Sequence, residues 1–248
     1  MRRMDAHLDT QSLAARDVTR LTHFRLCPLS RAVRLALAEV GIEAALAEER
    51  PWEQRPQFLA LNPSGELPVL ELDGGPVLCG AYAIVEYVAE AARRHPRDDR
   101  AIELFPGDVE DRAEVRRLVD WFHRKFDREV SREMLFEKLY ARLGGLAEHS
   151  PDPHMLRAVR ANLRYHLSYV GFLAHQRRWL AGDELSYADL AASAQLSAID
   201  YLDEIPWDEY PAAKSWYVRL KSRPSFRPIL AERIPGVPPP LHYTNLDF

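Results

Sequence analysis

Residues 62–72 have the sequence Asn62-Pro63-Ser64-Gly65-Glu66-Leu67-Pro68-Val69-Leu70-Glu71-Leu72. The second half of this segment, residues 68–72, predicts a β-strand. The Asp73-Gly74-Gly75 that follows is a hairpin-turn signal. A second strand is therefore predicted at residues 76–78, and a helix over residues 81–93 closes this part of the chain.

The segment before residue 62 predicts a strand, a helix, a second strand and a short helix. Residues 19–24 alternate loosely, as a strand does. Ser30 is expected to cap a helix that Gly41 ends, because apolar residues between them recur at helical spacing. The second strand is expected at residues 42–47 and the short helix at residues 57–61. The predicted order is therefore βαβ(α)ββα.

The chain after residue 107 is predicted to be helical, and residues 94–107 are expected to be an interdomain linker. Ser186 and Asp189 occupy the N-cap and N3 positions of a capping box, which marks the start of a further helix. Apolar residues form two stripes at helical spacing. The stripes are Val115, Leu118, Val119, Phe122, Phe126 and Val130, and Leu156, Val159, Leu163, Leu167, Val170 and Ala174.

Composition excludes several classes of protein. The chain has 248 residues, 47% of them hydrophobic, and a net charge of −4, so nothing favours a nucleic-acid partner. It has no apolar run of the roughly 20 residues that a membrane-spanning helix needs. The N-terminus lacks the apolar core of a secretory signal, and two cysteines are too few for a disulfide scaffold. We therefore expect a cytoplasmic protein.

These motifs, in this order, resemble the glutathione-transferase superfamily over about residues 19–230. The resemblance rests on residues 62–72, on the capping box, and on residues 215–226, which match the last-helix pattern of Trp, Arg and Arg-Pro-x-Phe. It implies an α/β plus all-α fold, with an N-terminal thioredoxin-like βαβαββα domain and a C-terminal helical bundle. The expected divisions are a lead-in (1–18), the thioredoxin-like domain (19–93), the linker (94–107), the helical domain (108–233) and a proline-rich tail (234–248).

The catalytic residue that the resemblance implies is Cys27. It lies between the first strand and the first helix, where this superfamily keeps its activating side chain, and Cys27-Pro28-Leu29-Ser30 is the one-cysteine variant of the redox pattern. A thiol at a helix N-terminus is expected to favour the thiolate, since unpaired N–H groups face it. The alternative is that Cys27 is an inert residue filling the junction.

The glutathione site that the resemblance implies is degenerate. Leu67 and Pro68 match the family's turn with a cis-proline, which presents backbone to glutathione. Gly80 and Ala81 occupy the positions where the family has Glu and Ser. A hydrogen bond to a charged group contributes about 1.5–3 kcal/mol, so each lost contact costs roughly 10–100-fold in affinity. Ser30 is the fifth residue of this expected site. Binding of glutathione is thus expected to be weakened rather than excluded.

The tail is expected to leave the helical domain in an extended conformation. Pro235 and the run Pro238-Pro239-Pro240 favour polyproline II, which would present the last eight residues. These are either a strap over the protein's own surface or a linear motif for a partner. Trp52, in the loop after the second strand, is predicted as an exposed anchor, with packing against the helical domain as the alternative.

The tail resembles that of alphaproteobacterial cell-division members of the superfamily. The resemblance implies a homodimer that binds filaments of the tubulin-like FtsZ at the division site. The residues carried over are Tyr243, Asn245, Leu246, Asp247 and Phe248.

Two hypotheses follow from these observations. The first is a non-catalytic protein that binds FtsZ filaments through its tail, without a cofactor. The second is a glutathione-dependent thiol transferase that uses Cys27. The nine histidines show no metal-ligand spacing, so no metal site is predicted.

Overall fold

The N-terminal part of the fold is a mixed sheet covered by helices. A computed structural model describes residues 18–94, 101–146 and 148–246. The strands are β1 (Val18–His23), β2 (Ala45–Glu48), β3 (Val69–Leu72) and β4 (Val77–Cys79), and the helices are α1 (Pro28–Glu39), α2 (Pro56–Leu61) and α3 (Ala81–Arg94). The strand order is β2-β1-β3-β4, with β2 parallel to β1 and the other two pairs antiparallel. The predicted order of elements is confirmed.

The start of α1 differs from the prediction. Its N-cap is Cys27 and its first residue is Pro28, so Ser30 lies inside the helix and is fully buried. Proline at the first helical position needs no N–H partner and already has the helical φ, which explains the earlier start. The predicted end is confirmed, because Gly41 follows the last turn with a φ of +71°.

The rest of the structure is helical. Its helices are α4 (Val109–Asp120), α5 (Arg132–Leu135), α6 (Ala141–Leu143), α7 (Pro153–Gln176), α8 (Tyr187–Tyr201), α9 (Pro211–Lys221) and α10 (Arg227–Ala231). Two π-helical stretches, Trp121–Ser131 and Phe136–Tyr140, join α4, α5 and α6 into one continuous segment. Both predicted apolar stripes face the core, with Ala174 at its margin. No helix in the described parts of the chain is long and apolar enough to cross a bilayer.

Helix α8 is the centre of the molecule, since all of its residues are buried. The predicted capping box at its start is confirmed between Ser186 and Asp189. Asp189 also accepts hydrogen bonds from Trp216 Nε1 and from the backbone N–H of Leu180, each at 2.9 Å. These bonds satisfy a carboxylate that has no access to water. Helix α1 packs along α8 and so connects the sheet to the helical part.

Residues 234–246 of the tail do not project from the fold. Residues 234–246, which we call the C-terminal strap, run back over α8 and α10. Gly236 has a φ of +74° and allows a tight turn between Ile234 and Val237, which form an isolated β-bridge. A short 3-10 helix, Leu241–Thr244, follows the prolines. The predicted extended conformation is therefore wrong between residues 234 and 237, where the chain turns, whereas Pro240 is extended with φ −65° and ψ 160°. Of the two alternatives for the tail, the surface strap describes residues 234–246.

Candidate ligand site and C-terminal strap

Cys27 lies at the start of α1, as predicted, but in surroundings that keep its thiol neutral. Its backbone N–H donates to the Phe24 carbonyl at 3.0 Å, which fixes the loop that enters the helix. The thiol is only partly accessible. Burial raises its pKa, hydrogen bonds from Ser30 act in the opposite direction more weakly, and the charge of Asp127 raises the pKa further. The expected preference for the thiolate is therefore wrong: desolvation outweighs the helix terminus.

Asp127 is a part of this site that the sequence did not reveal. It is buried in the first π-helical stretch, where burial raises the pKa of its carboxyl group, and Arg132 lies 3.3 Å away. Its charge acts on Cys27 and also on the hydroxyl of Tyr140. An anionic sulfur formed at this position would face a buried acidic group. The site is thus electrostatically unfavourable for thiolate chemistry.

The turn that resembles a glutathione-binding backbone is present. The Leu67–Pro68 peptide bond is cis, which confirms the predicted cis-proline. The Pro68 carbonyl accepts a hydrogen bond from the Gly80 N–H at 2.9 Å, and α3 begins at the next residue, Ala81. Residues 67, 68, 80 and 81 are therefore brought together.

Gly80 has a backbone that a side chain disfavours. Its φ is +85°, although a Cβ placed there would have open space around it. A non-glycine residue in the left-handed region costs about 1–2 kcal/mol. Ala81 is buried and has no polar side-chain atom to offer. At positions 80 and 81 this chain therefore offers a ligand only backbone groups, where the family has the side chains of Glu and Ser.

Tyr82 and His123 form a contact between α3 and the helical part that sequence reasoning missed. Their rings meet edge to face at 5.5 Å. Burial, together with Asp120 at 3.5 Å from its hydroxyl group, raises the pKa of Tyr82 to about 12. Burial lowers the pKa of His123 to about 3, and its Nε2 lies 2.8 Å from the Tyr187 hydroxyl. Both side chains are neutral at pH 7, so this contact adds no charge to the site.

Trp52 is partly buried and packs against the core rather than standing fully exposed. Its ring centre is 5.0 Å from that of Phe24 and 5.3 Å from that of Tyr140. A Cβ at Gly144 would lie 3.5 Å from the indole, which shows how closely the helical part approaches. The predicted exposed anchor is thus wrong, and the alternative of packing against the helical part describes Trp52.

Tyr243 is the point at which the strap enters the core. Its side chain is 0% exposed, its ring meets that of Tyr201 edge to face at 5.2 Å, and its hydroxyl lies 3.4 Å from the Ile229 carbonyl. The Arg31 guanidinium beside it partly offsets the effect of burial, which raises its pKa. Tyr243 is therefore not presented to a partner in this structure.

The other tail residues of the prediction lie beyond the Tyr243 contact. Asn245 is exposed and Leu246 is half-buried against the core. Asp247 and Phe248 lie outside the described residues. Leu241 is 96% exposed and was not predicted as a site residue.

A buried charge cluster holds the strap next to Tyr243. Asp200, at the last turn of α8, accepts hydrogen bonds from Trp207 Nε1 at 2.7 Å and from His242 Nε2 at 3.0 Å. Lys221 Nζ donates to the His242 carbonyl at 3.2 Å and lies 3.9 Å from Asp200. The bond to Asp200 raises the pKa of His242, and burial lowers the pKa of Lys221 to about 8.

Further ion pairs connect the segment before the strap to helix α1 in the sheet half of the molecule. Arg34 on α1 donates to Glu232 at 2.6 Å, just before the strap. Arg223 makes two hydrogen bonds of 2.6 Å to Glu39 at the end of α1. Arg223, like Lys221, is therefore used in contacts within the molecule. Within the described ranges, no group of three His, Cys, Asp or Glu side chains could hold a metal ion.

Comparison with known families identifies both halves of the chain. The pattern of "Glutathione S-transferase, N-terminal domain" matches residues 26–91, and that of "Glutathione S-transferase, C-terminal domain" matches residues 142–224. The two matches correspond to the sheet half and to the helical half described above.

Individual proteins are similar over nearly the whole chain. FtsZ-localized protein A of Caulobacter vibrioides is 47% identical over 231 residues, which is 92% of this chain and 97% of that protein. The solved structure of FzlA from C. crescentus is 46% identical, with a TM-score of 0.85, and covers 92% of this chain and 99% of that one. A glutathione S-transferase structure from Sinorhizobium meliloti is 47% identical, with a TM-score of 0.87 and the same coverage.

Proposed function

This chain belongs to the glutathione S-transferase family, and we propose that it acts there as a non-catalytic protein that binds FtsZ filaments and regulates bacterial cell division. The observation that carries the proposal is its 47% identity to FtsZ-localized protein A over 97% of that protein's length. A match over 92% of this chain takes in most of both halves of the fold. In this proposal the protein acts in the cytoplasm, at the division site.

The candidate ligand site supports a role without catalysis. Gly80 and Ala81 offer no side chain to anchor glutathione, and the pKa of the Cys27 thiol is raised. Asp127 places a further acidic group near that thiol. A transferase must stabilise a thiolate at this position, and these residues oppose one.

The partner-binding segment in this proposal is the part of the tail that follows Tyr243. Tyr243 holds the strap, whereas Asn245 and Leu246 lead to Asp247 and Phe248. Two apolar side chains with an acidic residue between them suit a small pocket with a basic rim. In this proposal Tyr243 positions the segment, while Trp52 contributes to the fold.

A homodimer would increase the effect of such a short segment. Two weak contacts made together gain effective concentration, so a dimer binds a filament more tightly than either copy alone. Exposed aromatic side chains on α7 support self-association: Tyr165 is 57% exposed and Phe172 is 55% exposed. Light scattering after gel filtration would then give twice the 28.5 kDa of one chain. A mass of one chain for the wild-type protein would contradict the dimer.

The experiment that tests the proposal is co-sedimentation with GTP-assembled FtsZ. The full chain is compared with a chain ending at Asn245, which keeps Tyr243 in place and removes only Leu246, Asp247 and Phe248. The matched control is Leu241→Ala, which trims an exposed side chain on the same strap. We expect the full chain and the control to pellet with filaments and the shortened chain to stay in solution. If the full chain does not pellet, filament binding is wrong; if the shortened chain pellets equally, the tail is not the binding segment.

A glutathione-dependent transferase that uses Cys27 is the second candidate function. The observations that favour it are the cis Leu67–Pro68 turn and the position of Cys27 at the start of α1. In that case Cys27→Ser abolishes conjugation of glutathione to a chloronitrobenzene probe and leaves the melting temperature unchanged. If the wild-type protein does not conjugate glutathione to this probe, a transferase activity toward it is excluded.

A further inference from the structure

The strap is attached to the body by two neighbouring residues with different chemistry. Tyr243 fills a socket formed by Tyr201, Ile229 and Arg31. His242, one residue earlier, reaches Asp200, which is 0% exposed. The first attachment depends on packing and the second on charge. Because the two residues are adjacent, neither can leave its place without disturbing the other.

Asp200 is costly to bury without cationic partners. A buried carboxylate keeps its charge only when hydrogen bonds or opposite charges replace water. Trp207 and Tyr217 supply neutral donors, at 2.7 and 3.4 Å. Lys221 and His242 supply the positive charge, and only His242 is part of the strap.

We propose that the strap is a pH-sensitive latch: the charged His242 helps to hold it against Asp200, and loss of that charge increases the fraction of molecules in which Tyr243 has left its socket. The inference concerns how the strap is held and does not rest on binding to FtsZ. A neutral His242 can still donate one hydrogen bond to Asp200, but it no longer offsets the buried charge.

The charged groups around His242 set the pH range. Its Nε2 faces Asp200 on α8, its Nδ1 lies 3.9 Å from Asp203, and Lys221 on α9 opposes both acids. Asp208, Glu209 and Lys214 line the adjoining pocket of about 460 Å³. Together these interactions raise the pKa of His242 above the ordinary 6.5, and the hydrogen bond to Asp200 is the largest cause.

The sign of the effect follows from this raised pKa. The charged His242 stabilises the seated strap fully below pH 6.5, and that stabilisation is lost as the pH rises through the raised value. Lys221 acts in the opposite direction, because its pKa in the seated state is lowered to about 8, so seating favours the neutral amine above that pH. The loss of seating therefore begins near pH 6.5 and proceeds as the pH rises through the raised pKa of His242, and Lys221 opposes it above about pH 8.

Cleavage by chymotrypsin after Tyr243 measures release of the strap. The protease cannot reach this side chain in its socket, so the cleavage rate follows the population of the open state. The product is identified by the mass lost with residues 244–248. A free peptide of residues 235–248, cleaved under the same conditions, corrects for the pH dependence of the protease itself. Circular dichroism at each pH verifies that the body stays folded.

The variants distinguish the latch from a general effect of pH. We expect the corrected rate of the wild-type protein to rise about three- to tenfold between pH 6.5 and 8, since one pH unit corresponds to about tenfold in a proton-linked equilibrium. His242→Gln should cleave at the higher rate throughout and lose the step. His175→Gln, an exposed histidine at the end of α7, should behave as wild type. A flat wild-type profile, or the same step in His242→Gln, would overturn the proposal.

Discussion

Replacement of Tyr243 by alanine tests whether the strap is an integral part of the fold. Tyr243 is 0% exposed and its ring packs edge to face against Tyr201. Truncation of a buried aromatic side chain to alanine costs about 3–5 kcal/mol, which includes about 0.5–1.5 kcal/mol for the aromatic pair. In a chain of 248 residues each kcal/mol lowers the melting temperature by roughly 2–4 °C. We therefore expect Tyr243→Ala to lower it by about 6–20 °C.

Two further variants separate the parts of this effect. Tyr243→Phe keeps the ring and removes only the hydroxyl, which lies 3.4 Å from the Ile229 carbonyl, so the loss should be about 0.5–1.5 kcal/mol. Leu241→Ala changes a side chain that is 96% exposed, and its effect should stay within about 0.5 kcal/mol. Urea unfolding followed by circular dichroism gives the free energy of unfolding for each variant.

A small loss of unfolding free energy in Tyr243→Ala would refute this reasoning. The loss in Tyr243→Ala cannot exceed the free energy that the seated strap contributes. A loss below about 1 kcal/mol would mean that the strap contributes almost nothing and that the socket is not occupied in solution. An equal loss in Leu241→Ala would mean that the stabilisation does not come from burial of Tyr243.

Three other variants or reactions test the candidate site. The rate at which iodoacetamide alkylates Cys27, followed by peptide mass spectrometry, should be low at pH 7 and should still increase beyond pH 9, because burial raises the pKa of the thiol. A rate that reaches its plateau below pH 8 would contradict this. Gly80→Ala should lower the free energy of unfolding by about 1–2 kcal/mol because of the left-handed backbone at this position, as urea unfolding would reveal; an unchanged value would mean that the backbone relaxes. Trp52→Ala should cost about 2–4 kcal/mol in the same assay through loss of its contacts with Phe24 and Tyr140; a change below about 0.5 kcal/mol would restore the exposed-anchor interpretation.

Features that depend on local chemistry could be predicted from the sequence. Gly41 ends α1, and the capping box at Ser186 and Asp189 starts α8, because both signals act within one helical turn. The hairpin of β3 and β4 was also predictable, since its turn residues are adjacent in the chain. The cis bond before Pro68 was expected only from the family resemblance.

Features that depend on distant partners could not be predicted in this way. Tyr243 is buried because Tyr201 lies beneath it, and no pattern in the tail encodes a contact so far back in the chain. Asp127 was missed because it lies between apolar stripe residues, and its effect on the pKa of Cys27 depends on how the π-helical stretch packs in the fold. Trp52 was assigned to the surface because loops are usually exposed, whereas here a second half of the molecule covers it.

The strap also determines how far the last residues can reach from the body. An extended chain spans at most about 3.3–3.6 Å per residue. With Tyr243 and Thr244 fixed, Phe248 can lie no more than about 14 Å from the 3-10 helix that holds them. If the chain were free from Ile234 onward, the same residue would have a reach of about 50 Å. The seating of Tyr243 therefore sets whether Phe248 can reach about one helix diameter from the body or a distance comparable to a whole globular subunit.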